Sequence, residues 1–361
     1  MPRAIDTARL APIRAAAQLL HRPRGHSHPA DVARVICGAQ AQDMRHGLLA
    51  FRARSRSVTA DAVNRARAEE RSLVRTWAMR NTLHLVASED IPWLLPLFQP
   101  MLESFARRRL AQLGLDREGQ DKALVQIRRA LRGDGPLDRR EIRARLEAKG
   151  FPMKGQVGGH VIGLAVAAGV AIEGPDGGGV VPQLVDPTEW LGSRPKHDRE
   201  RALAELARRY FAAFGPATEG DFAKWSGLPL RDLRAGMSRA ATRLRESSIG
   251  GTAAWSAKAA ARRARPDTVR LLPAWDTYLM GYRDREFAAG QRWGRVSNGG
   301  GGIAPTIVAD GRVIGTWWPA PASPAPPGPD TTPFSTLDAA TRKAIDAEIA
   351  DVRRFEKSAP N

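Results

Sequence analysis

Two glutamines near the start of the chain, Gln40 and Gln42, have side chains that could take part in chemistry. They follow an apolar run and are separated by one alanine. An amide is too weak an acid or base for general acid/base catalysis, but it can orient a water molecule or place its oxygen beside developing positive charge. Because residues i and i+2 point to different faces of a regular helix, the spacing predicts a helix end or a turn. The alternative is a pair that simply ends a helix on a polar surface, where glutamine is common.

The chain carries a large positive charge. Its 361 residues include 56 Lys and Arg against 38 Asp and Glu, which gives a net charge of +18. Such a surplus attracts polyanions, so nucleic acid is the leading predicted partner and an anionic membrane surface is the weaker alternative. A GC-rich coding bias would account for part of the arginine excess. This coding bias explains why arginine is used in place of lysine, but it explains less well why there are fewer acidic than basic residues.

The composition also argues against several kinds of site. Cys37 is the only cysteine, so an intrachain disulfide and a cysteine zinc cluster are excluded, and its apolar surroundings predict a buried thiol. His21, His26 and His28 lack acidic or cysteine partners at ligand spacing, so we expect neither a metal nor a cofactor. The absence of a signal-peptide core and of a bilayer-spanning apolar stretch predicts a cytoplasmic, nucleoid-associated protein with no membrane partner.

The elements around the glutamine pair are predicted in a characteristic order. Helical periodicity indicates helices over 8–21, 30–42 and 59–70, and Thr59 is the expected N-cap of the third. Two β-type runs, 72–79 and 82–86, then flank Arg80 and Asn81 and predict a hairpin. Three helices followed by a hairpin is the order of a winged helix, in which the third helix or the wing usually meets DNA.

A similar order recurs twice, which predicts an α+β fold with three tandem winged-helix units. Helices are expected over 116–132, 137–149 and 157–168 before a glycine-rich hairpin, and over 198–214, 218–227 and 230–242 after it. From residue 269 onward, strands and turns predict a small β-barrel or curled sheet, followed by a helix over 335–357. The predicted domains are winged helix 1 (1–87), a helical linker (88–114), winged helix 2 (115–192), winged helix 3 (193–265) and a C-terminal β-barrel with a terminal helix (266–361).

Four stretches, in this order, resemble the AlkZ-like winged-helix DNA glycosylases. Residues 38–43 resemble the Gln-aliphatic-Gln motif of that family, and residues 75–86 resemble the hairpin that follows it, where Gly is more usual than Asn81. Residues 271–285 resemble a late family segment, and residues 305–317 resemble its C-terminal hairpin. The resemblance implies three winged-helix units and a β-barrel arranged as a C-shaped molecule with a basic concave surface for DNA.

The resemblance also implies an activity. It implies a monofunctional DNA glycosylase that excises N7-alkylated purines and unhooks interstrand crosslinks, with Gln40 and Gln42 as catalytic residues. Because Gln and not Asp stands at position 42, the chain resembles the branch associated with resistance to DNA-alkylating natural products. The expected partner is double-stranded DNA carrying alkylated or crosslinked purines, bound by a monomer. The competing interpretations are a non-catalytic winged-helix regulator and a sensor of alkylated DNA.

Basic side chains spread along the chain are candidates for contacts with DNA. For each arginine the alternative is a solvated helix face, and for His84 it is a packed or solvent-facing place in the hairpin. Asp43 is interpreted as a helix cap in preference to a part of the catalytic site. Arg262, Arg263 and Arg265 form a further basic cluster. The predicted DNA-binding residues are Arg80, His84, Arg107, Arg108, Arg109, Arg139, Arg140, Arg283 and Arg312.

Overall fold

Helices and strands are mixed along the whole chain, which confirms the predicted α+β class. The structure is a computed structural model that describes residues 3–23, 25–176, 182–192, 198–258, 266–319 and 329–358. The chain divides into two compact units, Met1–Asn64 with Leu203–Asn361, and Arg65–Ala202. The five domains expected from the sequence, and the winged-helix description of three of them, stay predictions.

The first part of the chain forms short helices and short strands. Thr59 caps the helix that follows it, as predicted, because its hydroxyl accepts a hydrogen bond from the Ala62 N–H at 3.1 Å. The elements are β1 (Arg3–Ile5), α1 (Leu10–Ala17), α2 (Pro29–Ile36), β2 (Ala39–Gln40), α3 (Met44–Arg52) and α4 (Ala60–Ala68).

The second predicted helix is wrong in its extent. The sequence suggested one helix over 30–42, but α2 ends at Ile36 and a separate helix, α3, begins at Met44. The break comes from two successive residues with positive φ, Cys37 at 62° and Gly38 at 91°. A left-handed residue after the last turn ends a helix, and glycine adopts that conformation without a Cβ clash. The thiol of Cys37 is buried, as predicted.

The middle of the chain forms the second compact unit. The hairpin of β3 and β4 has the predicted antiparallel pairing, with Thr76 opposite His84 and Trp77 opposite Leu83. Apolar side chains from α5, α6, α7 and α8 build one core, to which Leu131, Ile142 and Val161 contribute. The elements are β3 (Leu73–Trp77), β4 (Leu83–Ala87), α5 (Ile91–Gln112), α6 (Arg117–Asp134), α7 (Arg139–Glu147), α8 (Val157–Ala167), β5 (Ile172–Asp176), β6 (Pro182–Val185) and α9 (Pro187–Leu191).

The chain then returns to the first compact unit. The capping box of Thr218 and Asp221 opens α11, and Gly227 ends it in the left-handed region, as the sequence predicted. A hairpin follows, and its first strand, β7, pairs in parallel with β1. The elements are α10 (Arg199–Ala213), α11 (Glu219–Ser226), α12 (Leu230–Ala240), β7 (Leu244–Ile249), β8 (Thr252–Ala257), β9 (Val269–Leu272), α13 (Thr277–Met280), α14 (Glu286–Ala289), β10 (Ser297–Gly299), β11 (Gly302–Ile303), β12 (Thr306–Ala309), β13 (Arg312–Trp318), β14 (Asp330–Pro333) and α15 (Ala339–Lys357).

The described C-terminal strands form an open sheet, which corrects the expectation of a closed barrel. Four of them have the order β14-β13-β12-β9, so β14 and β9 are edges, whereas a barrel closes by pairing its edges, and β10 and β11 form a separate two-stranded sheet. The turn between β12 and β13 has positive φ at Asp310 (47°) and Gly311 (83°), as the Asp-Gly sequence predicted. β14 lies in the proline-rich part of the sequence that follows β13.

The final helix, α15, packs against this sheet. Ile345, Val352 and Phe355 are buried together with Leu271 of β9 and Trp317 of β13. Leu337 and Ile349 are partly buried in the same cluster, whereas Ala340 is exposed. Within the described ranges, no helix is both long and apolar enough to cross a membrane. Residues 179–181 of the predicted glycine-rich hairpin, the cluster of Arg262, Arg263 and Arg265, and residues 320–328 lie outside the described residues.

Candidate active site

The glutamine pair lies in the non-helical link between α2 and α3. Gln40 belongs to the two-residue strand β2, and Asp43 has extended backbone angles, φ −112° and ψ 132°. The predicted turn at the motif is therefore present, but it joins two helices.

The two glutamines differ in exposure. Gln40 is buried, with 5% of its surface exposed, while Gln42 lies at the surface. Ala41 between them is fully buried. An amide held in the interior keeps a fixed orientation, and an exposed amide can reach a substrate. The structure therefore places one fixed and one accessible amide two residues apart.

Asp43 fixes the position at which α3 begins. Its carboxylate accepts a hydrogen bond from the His46 N–H at 3.1 Å, so it is the N-cap of α3. Asp43 is thus a helix cap, as interpreted, but it caps the start of α3, a helix that the sequence analysis did not predict. Arg52 and Arg54 hold the other end of α3. Both are fully buried, and the two terminal nitrogens of Arg54 lie 2.7 and 2.8 Å from the two carboxylate oxygens of Asp276.

The β3–β4 hairpin carries two of the predicted DNA-binding residues. Arg80 and Asn81 form its turn with positive φ, 55° and 60°, which explains why glycine suits position 81. Arg80 is half-buried, whereas His84 has only 1% of its surface exposed. The His84 Nδ1–H donates to the Thr82 carbonyl at 2.9 Å. Burial, together with the charge of Arg80, lowers the pKa of His84 to about 3, so the ring is neutral at physiological pH.

The basic residues of α5 and α7 differ in how far they are already paired. Arg107 lies within 2.8 Å of Asp121 and 3.3 Å of Glu103, and Arg109 donates to Gln156 at 2.7 Å. Arg139 lies 3.7 Å from the buried Glu173. The side chains of Arg108 and Arg140 are exposed. Contacts between these residues and DNA stay predictions.

Two predicted DNA-binding arginines from distant parts of the sequence line one cavity. Arg283 and Arg312 are both exposed, and they share a cavity of about 740 Å³ with the buried Arg14. Asp221 accepts from the Arg283 N–H at 2.9 Å and lies 3.5 Å from Arg14, so it fixes the base of the cavity. The structure therefore brings two of the predicted cations together.

The described histidines near the start of the chain have structural contacts. His28 caps α2 by accepting from the Ala30 N–H at 3.2 Å, and His21 lies 2.9 Å from the Thr268 hydroxyl. In the part of the chain that the structure describes, no group of three or more His, Cys, Asp or Glu side chains is placed to hold a metal ion.

The sequence analysis missed His46 and Trp275, whose rings meet close to the glutamine motif. Their centroids lie 6.0 Å apart at an interplanar angle of 82°, an edge-to-face contact. The signal that was overlooked is the helix α3 itself. Asp43 is a good N-cap, and the apolar residues Leu48, Leu49 and Phe51 follow it, so a helix start could have been predicted there.

Comparisons with known proteins bear on the family of the chain. A model of the family described as DNA glycosylase AlkZ-like matches residues 33–355, a range that includes the glutamine pair. An interstrand DNA cross-link repair glycosylase from Streptomyces sahachiroi is 29% identical over 350 residues, with 92% of each chain covered. The solved structure of Streptomyces sahachiroi DNA glycosylase AlkZ is similar to this chain, with a TM-score of 0.81, 26% identity, and 98% of this chain and 97% of that chain covered. The chain therefore belongs to the AlkZ-like DNA glycosylase family.

Proposed function

We propose that this DNA glycosylase hydrolyses the N-glycosidic bond of N7-alkylated purines in double-stranded DNA, and that it unhooks interstrand crosslinks formed through such purines. The observation that carries the proposal is the Gln40–Gln42 segment, in which a buried and an exposed amide stand two residues apart in a link fixed at both ends. The name of the relative from Streptomyces sahachiroi supports the crosslink as a substrate.

The chemistry of the substrate suits two neutral side chains. An alkyl group at N7 gives the purine a positive charge, so the base leaves with the bonding electrons as a neutral molecule without protonation by the enzyme. Water then bonds to the anomeric carbon, and one proton is released to solvent. The sugar becomes oxocarbenium-like on the way, as in other glycosidic hydrolysis. We assign Gln40 and Gln42 the roles of placing that water and of presenting amide oxygen to the cationic sugar.

Contacts with the DNA backbone come from arginines. We propose that Arg283 and Arg312, exposed at one cavity, bind phosphate, since a planar guanidinium matches phosphate oxygens in pairs. Arg80, Arg107, Arg108, Arg109, Arg139 and Arg140 remain proposed phosphate contacts. His84 remains a proposed DNA-binding residue, but its neutral ring already donates its Nδ1–H to the Thr82 carbonyl, so the nitrogen left for such a contact is Nε2, an acceptor. The likeness to the resistance-associated branch suggests DNA repair or self-resistance as the role of the enzyme.

The test is base release from defined duplexes. Release of N7-methylguanine and unhooking of an N7–N7 guanine crosslink would be measured for the wild type, Gln40→Ala and Gln42→Ala, with DNA binding measured for each. Gln126→Ala, on α6, is the matched control. We expect each motif variant to lose roughly tenfold or more in rate with binding intact, the scale of loss seen when a positioned polar group is removed.

Other outcomes would change the assignment in different ways. Tight DNA binding without release from either substrate would mean that this glycosylase acts on a different modified base. Release that both motif substitutions leave unchanged would keep the activity and contradict the roles of Gln40 and Gln42. A single tight sequence-specific site would instead favour a regulator.

A further inference from the structure

His46 lies four residues after Gln42, in the first turn of α3, and the proposed chemistry gives it no role. It is the third residue of α3, and its backbone N–H is the one that Asp43 caps at 3.1 Å. Gln42 directly precedes that cap. The position of the His46 backbone and that of the Gln42 peptide are therefore set by the same turn.

The His46 side chain joins this turn to the bend between β9 and α13. Its Nδ1 lies 3.3 Å from the backbone nitrogen of Ala274. Because that N–H donates, Nδ1 must accept, and the proton of the neutral ring lies on Nε2. The ring edge also packs against Trp275, the next residue of the bend.

The bend is a strained and firmly held feature. Trp275 has a φ of 54°, in the left-handed region that a bulky side chain rarely adopts. Such a conformation costs on the order of 1–3 kcal/mol and persists where the surroundings determine it. Here the Trp275 N–H donates to the Ile303 carbonyl at 3.3 Å, and buried Arg54 binds Asp276 through two nitrogens. His46 is thus attached to a fixed support.

The surroundings of His46 favour its neutral form. Burial lowers the pKa of His46 below its ordinary value of 6.5, and the charge of Arg45 acts in the same direction. Asp43 at the start of α3 and Glu356 on α15 act to raise it, with a smaller total effect. Only the neutral ring can accept the Ala274 hydrogen bond, because the imidazolium ion has no acceptor.

We propose that neutral His46 is a positioning residue for the glutamine pair: its hydrogen bond from Ala274 and its contact with Trp275 hold the start of α3, and with it Gln42, in place for base release. This inference rests on the proposed function. Protonation of His46 breaks the Ala274 hydrogen bond, so base release falls on acidification below the ordinary histidine range, and His46 is the cause of that fall.

The test is a pH profile of single-turnover N7-methylguanine release from duplex DNA, between about pH 4 and 8 so that it extends below the ordinary histidine range, with release in the absence of enzyme subtracted. His46→Asn keeps an acceptor oxygen near the Nδ1 position but does not titrate. His46→Leu keeps bulk without an acceptor. We expect the rate of the wild type to fall as the pH becomes acidic. His46→Asn should keep the rate at neutral pH within about threefold and should not show the fall at acidic pH. His46→Leu should be roughly tenfold slower at every pH, as misplacement of a reacting group predicts. His160→Leu, a half-buried histidine on α8, is the matched control.

The outcomes separate this inference from the proposed function. No release by the wild type at any pH means that the substrate assignment has failed, and the inference fails with it. Release by the wild type with the same acidic fall in His46→Asn, or an unaltered rate in His46→Leu, overturns the role of His46 alone. If His46→Leu does not fold, the comparison of the wild type with His46→Asn still tests the role of His46, because that comparison depends only on the shape of the pH profile of base release.

Discussion

Single residues decide where the glutamine pair stands. Cys37 and Gly38 turn the chain out of α2, and Asp43 starts α3, so the six residues between α2 and the Asp43 cap include both Gln40 and Gln42 outside any helix. The presence of a turn at the motif was predictable, since two amides at i and i+2 do not share a helix face. The strained Trp275 was not, because a positive φ at a bulky residue has no signature in the sequence.

At the same scale, His84 makes the stability of the protein depend on pH. Burial lowers the pKa of His84 to about 3 in the folded protein, against 6.5 ordinarily, so between these values the unfolded chain binds a proton that the folded chain does not. The stability that neutral His84 contributes is therefore present above about pH 6.5 and is lost progressively toward pH 3, with a total of as much as ~5 kcal/mol.

Denaturant unfolding of the wild type and His84→Asn at several pH values measures this loss. We expect the free energy of unfolding of His84→Asn to fall less steeply over the acidic range, because asparagine has no proton to gain. His160→Asn serves as the control for removal of another histidine. If the free energy of unfolding changes with pH in the same way for the wild type and His84→Asn, His84 is not the cause of the loss of stability at acidic pH.

Among the elements, α15 is tied to α3 and β9 by a buried ionic cluster. Glu348 lies 2.9 Å from Arg52, 3.1 Å from Arg22 and 3.3 Å from Arg270, and it accepts from the Leu271 N–H at 3.2 Å. Burial acts to raise the pKa of Glu348, but the three arginines outweigh it, so the net pKa is lowered. The helix at the end of the chain thereby supports the helix that begins at the glutamine motif.

Glu348→Gln is expected to destabilise the protein by about 3–5 kcal/mol, because it removes the carboxylate that three largely buried arginines share. Asp351, which lies 2.7 Å from Arg22 and 3.0 Å from Arg52, compensates only in part. Glu356→Gln, on the same helix, removes a partner of the more exposed Arg45 and should cost no more than ~1 kcal/mol. Unfolding by denaturant compares the two. Since the pKa of Glu348 is lowered in the folded protein, its contribution to the free energy of unfolding is fully present at pH values above the ordinary glutamate pKa. That contribution should vanish as the pH falls through the pKa that Glu348 has in the folded protein. Equal costs for the two variants would contradict this role of the cluster.

For the whole molecule, the excess positive charge predicts DNA binding that weakens steeply with salt. The net charge of +18 supplies the long-range attraction, while many individual arginines are already paired with carboxylates. Each phosphate contact contributes about 0.9 to the slope of log affinity against log salt concentration. The slope therefore reports how many cations bind phosphate, which the net charge alone does not give.

Arg283→Gln and Arg312→Gln test whether the cavity that they share faces DNA. We expect each substitution to reduce the salt slope by about 0.9, because each would remove one phosphate contact. Arg342→Gln removes the same charge from an exposed position on α15 and should leave the slope unchanged. Binding to an undamaged duplex, measured by fluorescence anisotropy at several salt concentrations, gives the slopes. Equal slopes for all three variants would rule out a specific contact by Arg283 and Arg312.

The sequence by itself determined the features that depend on local chemistry. Caps such as Thr218, the Asp310–Gly311 turn, the first hairpin and the core-facing residues of α15 follow from hydrogen bonding, backbone freedom and apolar periodicity, all of which act over a few residues. The ordered motifs also determined the family, which the comparison over residues 33–355 confirmed.

Only the tertiary structure decided what depends on contacts between distant parts of the chain. It buried His84 and Gln40, opened the C-terminal sheet at β14 and β9, and joined Arg283 to Arg312 at one cavity. It also set His46 of α3 against Ala274 and Trp275, more than two hundred residues later in the chain. Burial and charge pairing depend on the whole fold, and local sequence patterns do not predict which distant segment will cover a residue or pair with its charge.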